Sequence, residues 1–125
     1  MEIDIPEVVA EVTAAFEAYE RALVENDVAA LNRFFWKDER TLRYGFAEHL
    51  YGHAAIAAFR AARPAGETLV RQVQRQEIHT FGRDFAVTNL QSLRPGQTRI
   101  GRQSQTWVRM PDGWRIVSAH VSAMG

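Results

Sequence analysis

Residues 98–122 read TRIGRQSQTWVRMPDGWRIVSAHVS, and this stretch decides the fold class. Pro111-Asp112-Gly113 is a tight-turn signal. The Trp-, Val-, Thr- and Ile-rich segments on either side of it alternate in polarity as strands do. Two long strands joined by so short a turn form an antiparallel hairpin. Upstream, Arg94-Pro95-Gly96-Gln97 and Gly82-Arg83-Asp84 are further turn signals. The second half therefore predicts four strands, about 68–81, 85–94, 98–110 and 114–122, in a curved antiparallel meander.

The first half has a different period. Val8 or Val9, Val12, Phe16, Tyr19 and Leu23 recur every three or four residues, which makes one apolar face of a helix. Asp4 with Glu7 three residues on is positioned to cap it, and Pro6 tolerates the first turn. Asn26-Asp27 breaks the pattern and caps a short second helix with Val28, Leu31 and Phe34 or Phe35 as its apolar positions. A third helix is predicted from about His53 to Arg63, with Ile56 and Phe59 inward and a stop at Pro64-Ala65-Gly66. Residues 41–45 and 49–51 are short extended pieces. The expected class is α+β: three N-terminal helices on a curved antiparallel sheet, in one domain spanning 1–125.

Composition narrows the function. The 125 residues carry 15 basic and 15 acidic side chains, so bulk attraction to nucleic acid is not expected. There is no cysteine, hence no thiol nucleophile, disulfide or thiolate metal site. No apolar run approaches the roughly 18 residues of a membrane span, and the acidic start is no signal peptide, so a cytoplasmic domain is expected. His49, His53, His79 and His120 lack metal-ligand spacing, and neither a phosphate loop nor a serine elbow occurs, so no metal or cofactor is expected. Charge is divided unevenly. Residues 1–50 carry 11 acids and 5 bases, and residues 51–125 carry 4 acids and 10 bases. Such halves attract each other, within the fold or between subunits.

Polarity along the strands is unusual. One face of 85–93 carries Asn89 and Gln91, and one face of 100–110 carries Gln103, Gln105 and Trp107. Amides beside Trp and Phe fit a partly polar cavity; they also fit an outer sheet surface facing water.

Several motifs resemble a known family. The helix order, the segment LYGHAAIAAFR at 50–60 and the closing DGWRIVSAHVS at 112–122 resemble the nuclear-transport-factor-like, SnoaL-like or cystatin-like cone fold. RYG at 43–45, FRAARPAG at 59–66, TFGRDFA at 80–86 and GRQSQTWVR at 101–109 resemble the AtzH/HpxZ family. The resemblance implies a homodimeric cone in bacterial catabolism of nitrogenous compounds. It also implies association with an amidase and its small companion subunit, and a decarboxylating amidohydrolase step of the 1,3-dicarboxyurea-to-allophanate type. The family's catalytic tyrosine and arginine fall on Tyr19 and Arg43.

Both types suit that chemistry. An inward Arg43 offers a planar fork to a carboxylate, and Tyr19 beside a cation becomes a better proton donor. From the residues alone, Tyr19 also reads as a core tyrosine and Arg43 as a solvent-facing strand arginine. Asn89, Gln91, Gln103, Gln105 and Trp107 are candidates for binding a urea-like substrate. The alternative function is a carboxylate-binding or scaffolding dimer accessory to an amidase. An open pocket holding both Tyr19 and Arg43 favours the enzyme; a filled interior favours the scaffold.

Overall fold

Helix α1 forms where the apolar spacing predicts it, over Pro6–Glu25, and buries Val8, Val12, Phe16, Tyr19, Ala22 and Leu23. It stops because Asn26 adopts a left-handed conformation (φ 56°), turning the chain into α2, Val28–Phe34. The Asp27 side chain caps α2 by accepting from the Ala30 amide at 3.2 Å. Two three-residue strands follow, β1 (Leu42–Tyr44) and β2 (His49–Tyr51), then α3 (His53–Ala61). Gly52, with φ 91°, makes the sharp entry into α3 that a side chain would strain. The long strands are β3 (Gln72–Phe81), β4 (Phe85–Leu93), β5 (Gly101–Met110) and β6 (Gly113–Ala123). This computed structural model describes residues 1–64 and 69–125. The predicted strand start near 68 and the Ala65-Gly66 part of the predicted helix stop lie outside the described residues.

All six strands form one sheet in the order β2-β1-β6-β5-β4-β3. The turns at 82–84 and 111–112 close the hairpins the sequence predicts. The sheet is not purely antiparallel, however, because β1 pairs parallel with β6. The meander leaves one edge of β6 unpaired, and β1 satisfies those backbone groups. The register sets Arg43 beside Ala119 and opposite Leu50.

One face of the sheet meets α1. From it Trp107, Ile116, Leu90, Ala86 and Ala119 join the α1 stripe, Leu31, Phe35 and Ile56 in a single buried cluster. No helix among the described residues is long and apolar enough to cross a membrane.

Asp4 does something other than cap α1. The N-cap position belongs to Ile5, and Asp4 turns back to β3. Its Oδ1 accepts from the Thr80 amide at 2.8 Å, and its Oδ2 lies 2.9 Å from His79 Nδ1. The Asp4 amide in turn donates to the Thr80 carbonyl at 3.0 Å, so strand pairing outcompetes the cap.

This clip is pH-dependent. The hydrogen bond to Asp4, then that to Glu77, raises the His79 pKa above its ordinary 6.5. The bond from His79, then that from the Thr80 amide, lowers the Asp4 pKa below 3.8. A raised histidine pKa contributes fully below 6.5 and is lost as pH climbs through the folded value. A lowered aspartate pKa contributes above 3.8 and is lost as pH falls through its folded value. The window of full contribution lies between. Amide hydrogen exchange at Asp4 and Gly82, corrected for intrinsic rates, should show more protection near pH 5.5 than near pH 8.5 (about one unit below and two above the ordinary histidine value). His79→Gln should flatten that difference.

Candidate active site

Tyr19 lies one helical turn after Phe16 on the inward face of α1 and is 2% exposed. Edge-to-face contacts with Phe34, Phe35 and Trp107, at centroid distances of 5.9, 6.1 and 6.4 Å, hold its ring. Its hydroxyl accepts a hydrogen bond from Arg60 Nη2 at 2.9 Å. Arg60 is on α3, four residues after Ile56, and is itself 2% exposed. Its Nε is buried without a protein acceptor.

Arg43 enters the same region from β1. It is the buried residue of that strand, at 8% exposure, and points to the face occupied by Ala119, whose small side chain leaves room. Arg43 Nη1 donates to Glu48 Oε1 at 3.0 Å, and the guanidinium sits 5.3 Å from the centre of the Phe59 ring. Burial first, and then the like charge of Arg60, pushes the Arg43 pKa down; Tyr19 and Glu48 oppose this. An arginine stays charged regardless, so the site holds two buried cations with one carboxylate directly paired to them. A phenol that accepts a hydrogen bond from one guanidinium keeps its own hydrogen for donation to a substrate.

Gly45 explains the third residue of the RYG motif. A Cβ there would overlap Glu48 Oε1 and crowd Arg43 Nη1. The close approach of the ion pair to the backbone requires the missing side chain.

The other predicted residues separate. Gln103 and Gln105 are buried, at 4% and 3% exposure, on the inward face. Gln103 donates to Glu20 Oε2 at 3.0 Å. Gln105 is committed to a core chain in which Trp107 Nε1 donates to Thr88 Oγ1 at 3.1 Å and Thr88 Oγ1 donates to Gln105 Oε1 at 3.2 Å. Trp107 therefore supports the Tyr19 ring and has no free donor for a ligand. Asn89 and Gln91 are exposed on the opposite face of the sheet, where Asn89 accepts from Ser104 Oγ at 2.6 Å. In β4 the register with β5 turns Ala86, Thr88, Leu90 and Ser92 inward. Among the described residues, no three His, Asp or Glu side chains gather as a metal site.

Arg60 and Glu48 went unpredicted. Helical spacing from Ile56 points to position 60, but a charged side chain there reads as exposed. Phe59, predicted inward, is half-buried beneath Arg43.

Comparison with protein families matches the AtzH-like family over residues 1–125. The chain belongs to that family. A protein of unknown function from Pectobacterium atrosepticum is 53% identical, with 98% of this chain and 95% of that chain covered and a TM-score of 0.94. A cystatin-like fold protein from Burkholderia xenovorans is 46% identical over 100% and 98% of the two chains, with a TM-score of 0.93. An NTF2-like superfamily protein from Salmonella enterica is 27% identical over 95% and 92%, with a TM-score of 0.74. The fold of this AtzH-like chain is thus the cystatin-like, NTF2-like α+β fold with a curved mixed sheet. No curated protein matches it.

This packing sets the cost of three kinds of substitution. Tyr19→Phe keeps the ring but removes the acceptor of Arg60, and should cost about 1–3 kcal/mol in urea denaturation. Asn89→Ala and Gln91→Ala, on the outer face, should each stay within about 0.5 kcal/mol of the parent. Gly45→Ala should displace Glu48 from Arg43 without altering either residue. Its effect on melting temperature should match that of Glu48→Gln, and the double variant should be no worse than either single one.

Proposed function

We propose that this AtzH-like chain is a cofactor-free amidohydrolase of the decarboxylating kind, acting on a small N-carboxylated urea such as 1,3-dicarboxyurea in catabolism of nitrogenous compounds. The observation that carries this reading is the 2.9 Å bond from buried Arg60 to the Tyr19 hydroxyl, with Arg43 close by. Because Arg60 donates to the phenol oxygen, the phenol's own hydrogen is free to point at a substrate. Tyr19 gives that proton to the carboxylated nitrogen. The nitrogen–carbon bond then breaks with its electron pair remaining on nitrogen, and carbon dioxide departs. The phenolate formed is held by Arg60 and regains a proton from water. Arg43 grips the retained carboxylate or carbonyl end; gripping the departing carboxylate would stabilise the ground state as well and lose catalytic value.

The test is purified protein with 1,3-dicarboxyurea against a protein-free control, following allophanate formation and carbon dioxide release. Acceleration supports the reading, and a rate equal to spontaneous loss removes the substrate. Tyr19→Phe should lower the single-turnover rate, and Arg43→Gln should chiefly weaken substrate capture. The double variant should be little worse than the poorer single one, because the two residues serve one step.

The burial of the pair favours a second reading. Tyr19 is 2% and Arg43 8% exposed, so the interior is largely filled by its own side chains. A carboxylate-binding or scaffolding dimer accessory to an amidase accommodates that, and predicts that folded Tyr19→Phe changes nothing the protein does. Either reading places the chain in the cytoplasm as an isologous homodimer joined through the outer sheet face. Light scattering at low micromolar concentration should then give about twice the chain mass, and a clean monomer would defeat the dimer.

A further inference from the structure

Much of the charge division between the halves is closed inside one chain. Glu7, Glu11 and Glu20 of α1 pair with Arg83, Arg109 and Arg71. A remainder is left at one place. Arg94 and Arg102 have no partner among the described residues, and Arg99 is tied through its Nε to the Met124 carbonyl at 2.7 Å. These three line, together with Arg71, one cavity of about 450 Å³, Arg102 from the outer-face side of its strand and Arg71 from the inner side. Gln97, Gln103 and Ser92 add neutral polar groups to its wall, and among the described residues no carboxylate lines it.

Arg71 distinguishes this cavity from a solvated patch. Its side chain is only 9% exposed, fixed by Glu20 and, at 3.4 Å, by Gln103 Oε1. Among the described residues its buried Nε nevertheless has no acceptor. A buried donor left open costs free energy unless an acceptor comes to it. The four lining arginines come from three chain segments: the stretch before β3, the β4–β5 loop and β5. Like charges held around a small concavity are relieved by an oxyanion, and planar guanidiniums match carboxylate and phosphate oxygens in pairs. Arginines approaching from several sides suit an anion with more than one charge. The size is that of a small-molecule site.

We propose that this arginine-lined cavity binds a small, doubly charged oxyanion, a dicarboxylate or a phosphate-bearing compound, at a position separate from the Tyr19 pair. None of Tyr19, Arg43 or Arg60 lines it. Binding here stands whether or not the chain turns anything over.

The test is calorimetric titration of the full chain with malonate and with inorganic phosphate at low ionic strength, with acetate as the singly charged control. At least one doubly charged probe should bind at one per chain, and acetate at least about tenfold more weakly. The two probes distinguish a carboxylate ligand from a phosphate ligand. Arg94→Gln with Arg102→Gln removes two charges that hold nothing structural, and should weaken binding at least about tenfold with the melting temperature unchanged. Arg33→Gln with Lys37→Gln changes net charge equally at exposed positions that do not line the cavity, and should leave affinity within about twofold. Tyr19→Phe should retain binding, so failure of the catalytic reading leaves this one intact. The proposal is overturned by no binding of either probe in the millimolar range, or by an equal loss in the Arg33/Lys37 control. Loss on Arg43→Gln while the Arg94/Arg102 variant binds normally would also overturn it, because the anion would then sit at the inner pair.

Discussion

The bond between Arg60 and Tyr19 constrains more of this molecule than any other contact. A guanidinium at 2% exposure has lost its water, and the protein returns one phenol oxygen at 2.9 Å. Desolvating such a charge is expensive, so its surroundings have to be held in place. Here they are held from three directions. The α1 stripe fixes Tyr19, Ile56 anchors α3 one turn before Arg60, and the parallel pairing of β1 with β6 brings Arg43 up beside both. Arg43 repels Arg60, and among the described residues its direct carboxylate partner is Glu48, whose carboxylate sits in the space a side chain at position 45 would take. The RYG and FR segments are thus parts of one electrostatic arrangement, separated in sequence and joined in space.

How much of this could be read from sequence depends on the range of the interaction involved. The α1 stripe was legible because its determinants sit three and four residues apart, and Tyr19 belongs to it. Turn residues at 82–84 and 111–113 are equally local, and both hairpins formed there. The faces of β4 were not legible. Both of its parities carry apolar residues, Phe85 and Val87 on one and Ala86 and Leu90 on the other. What decides between them is the pairing of Thr88 with Gln105 and Leu90 with Gln103, and only tertiary structure supplies that. Asn89 and Gln91, whose type fits a cavity wall or an outer surface, accordingly lie on the outer surface. The parallel β1–β6 pairing spans three residues of β1 and joins positions 76 apart, such as Arg43 and Ala119, beyond any local signal. Arg60 was hidden differently: its spacing was right and its residue type argued against it.

Asp4 shows competition between two local rules. Its spacing to Glu7 fits a capping box, yet its side chain binds the Thr80 amide and His79. A cap satisfies one or two amides at the end of a helix. The alternative fastens the N-terminal segment to β3 by backbone and side-chain bonds together, and Pro6 has already removed one amide that would have needed a cap.

The arginines fall into two groups whose charge is felt differently. Arg94 and Arg102 are exposed, so their field is strong near the surface and fades within about 10 Å at moderate salt. Arg43 and Arg60 are buried, where screening is weak and a Coulomb interaction is several times larger at the same distance. Moving inward, attraction for an anion therefore becomes steadily less dependent on salt. Glu20 stands between these regimes. It follows Tyr19 directly in α1, and it holds Arg71 and Gln103, both of which line the outer cavity. An anion that draws Arg71 away from Glu20 leaves that carboxylate with less to bind, on the same helical turn that positions the phenol. Glu20 is thus the residue at which the lining of the outer cavity and the turn of α1 that carries the phenol meet.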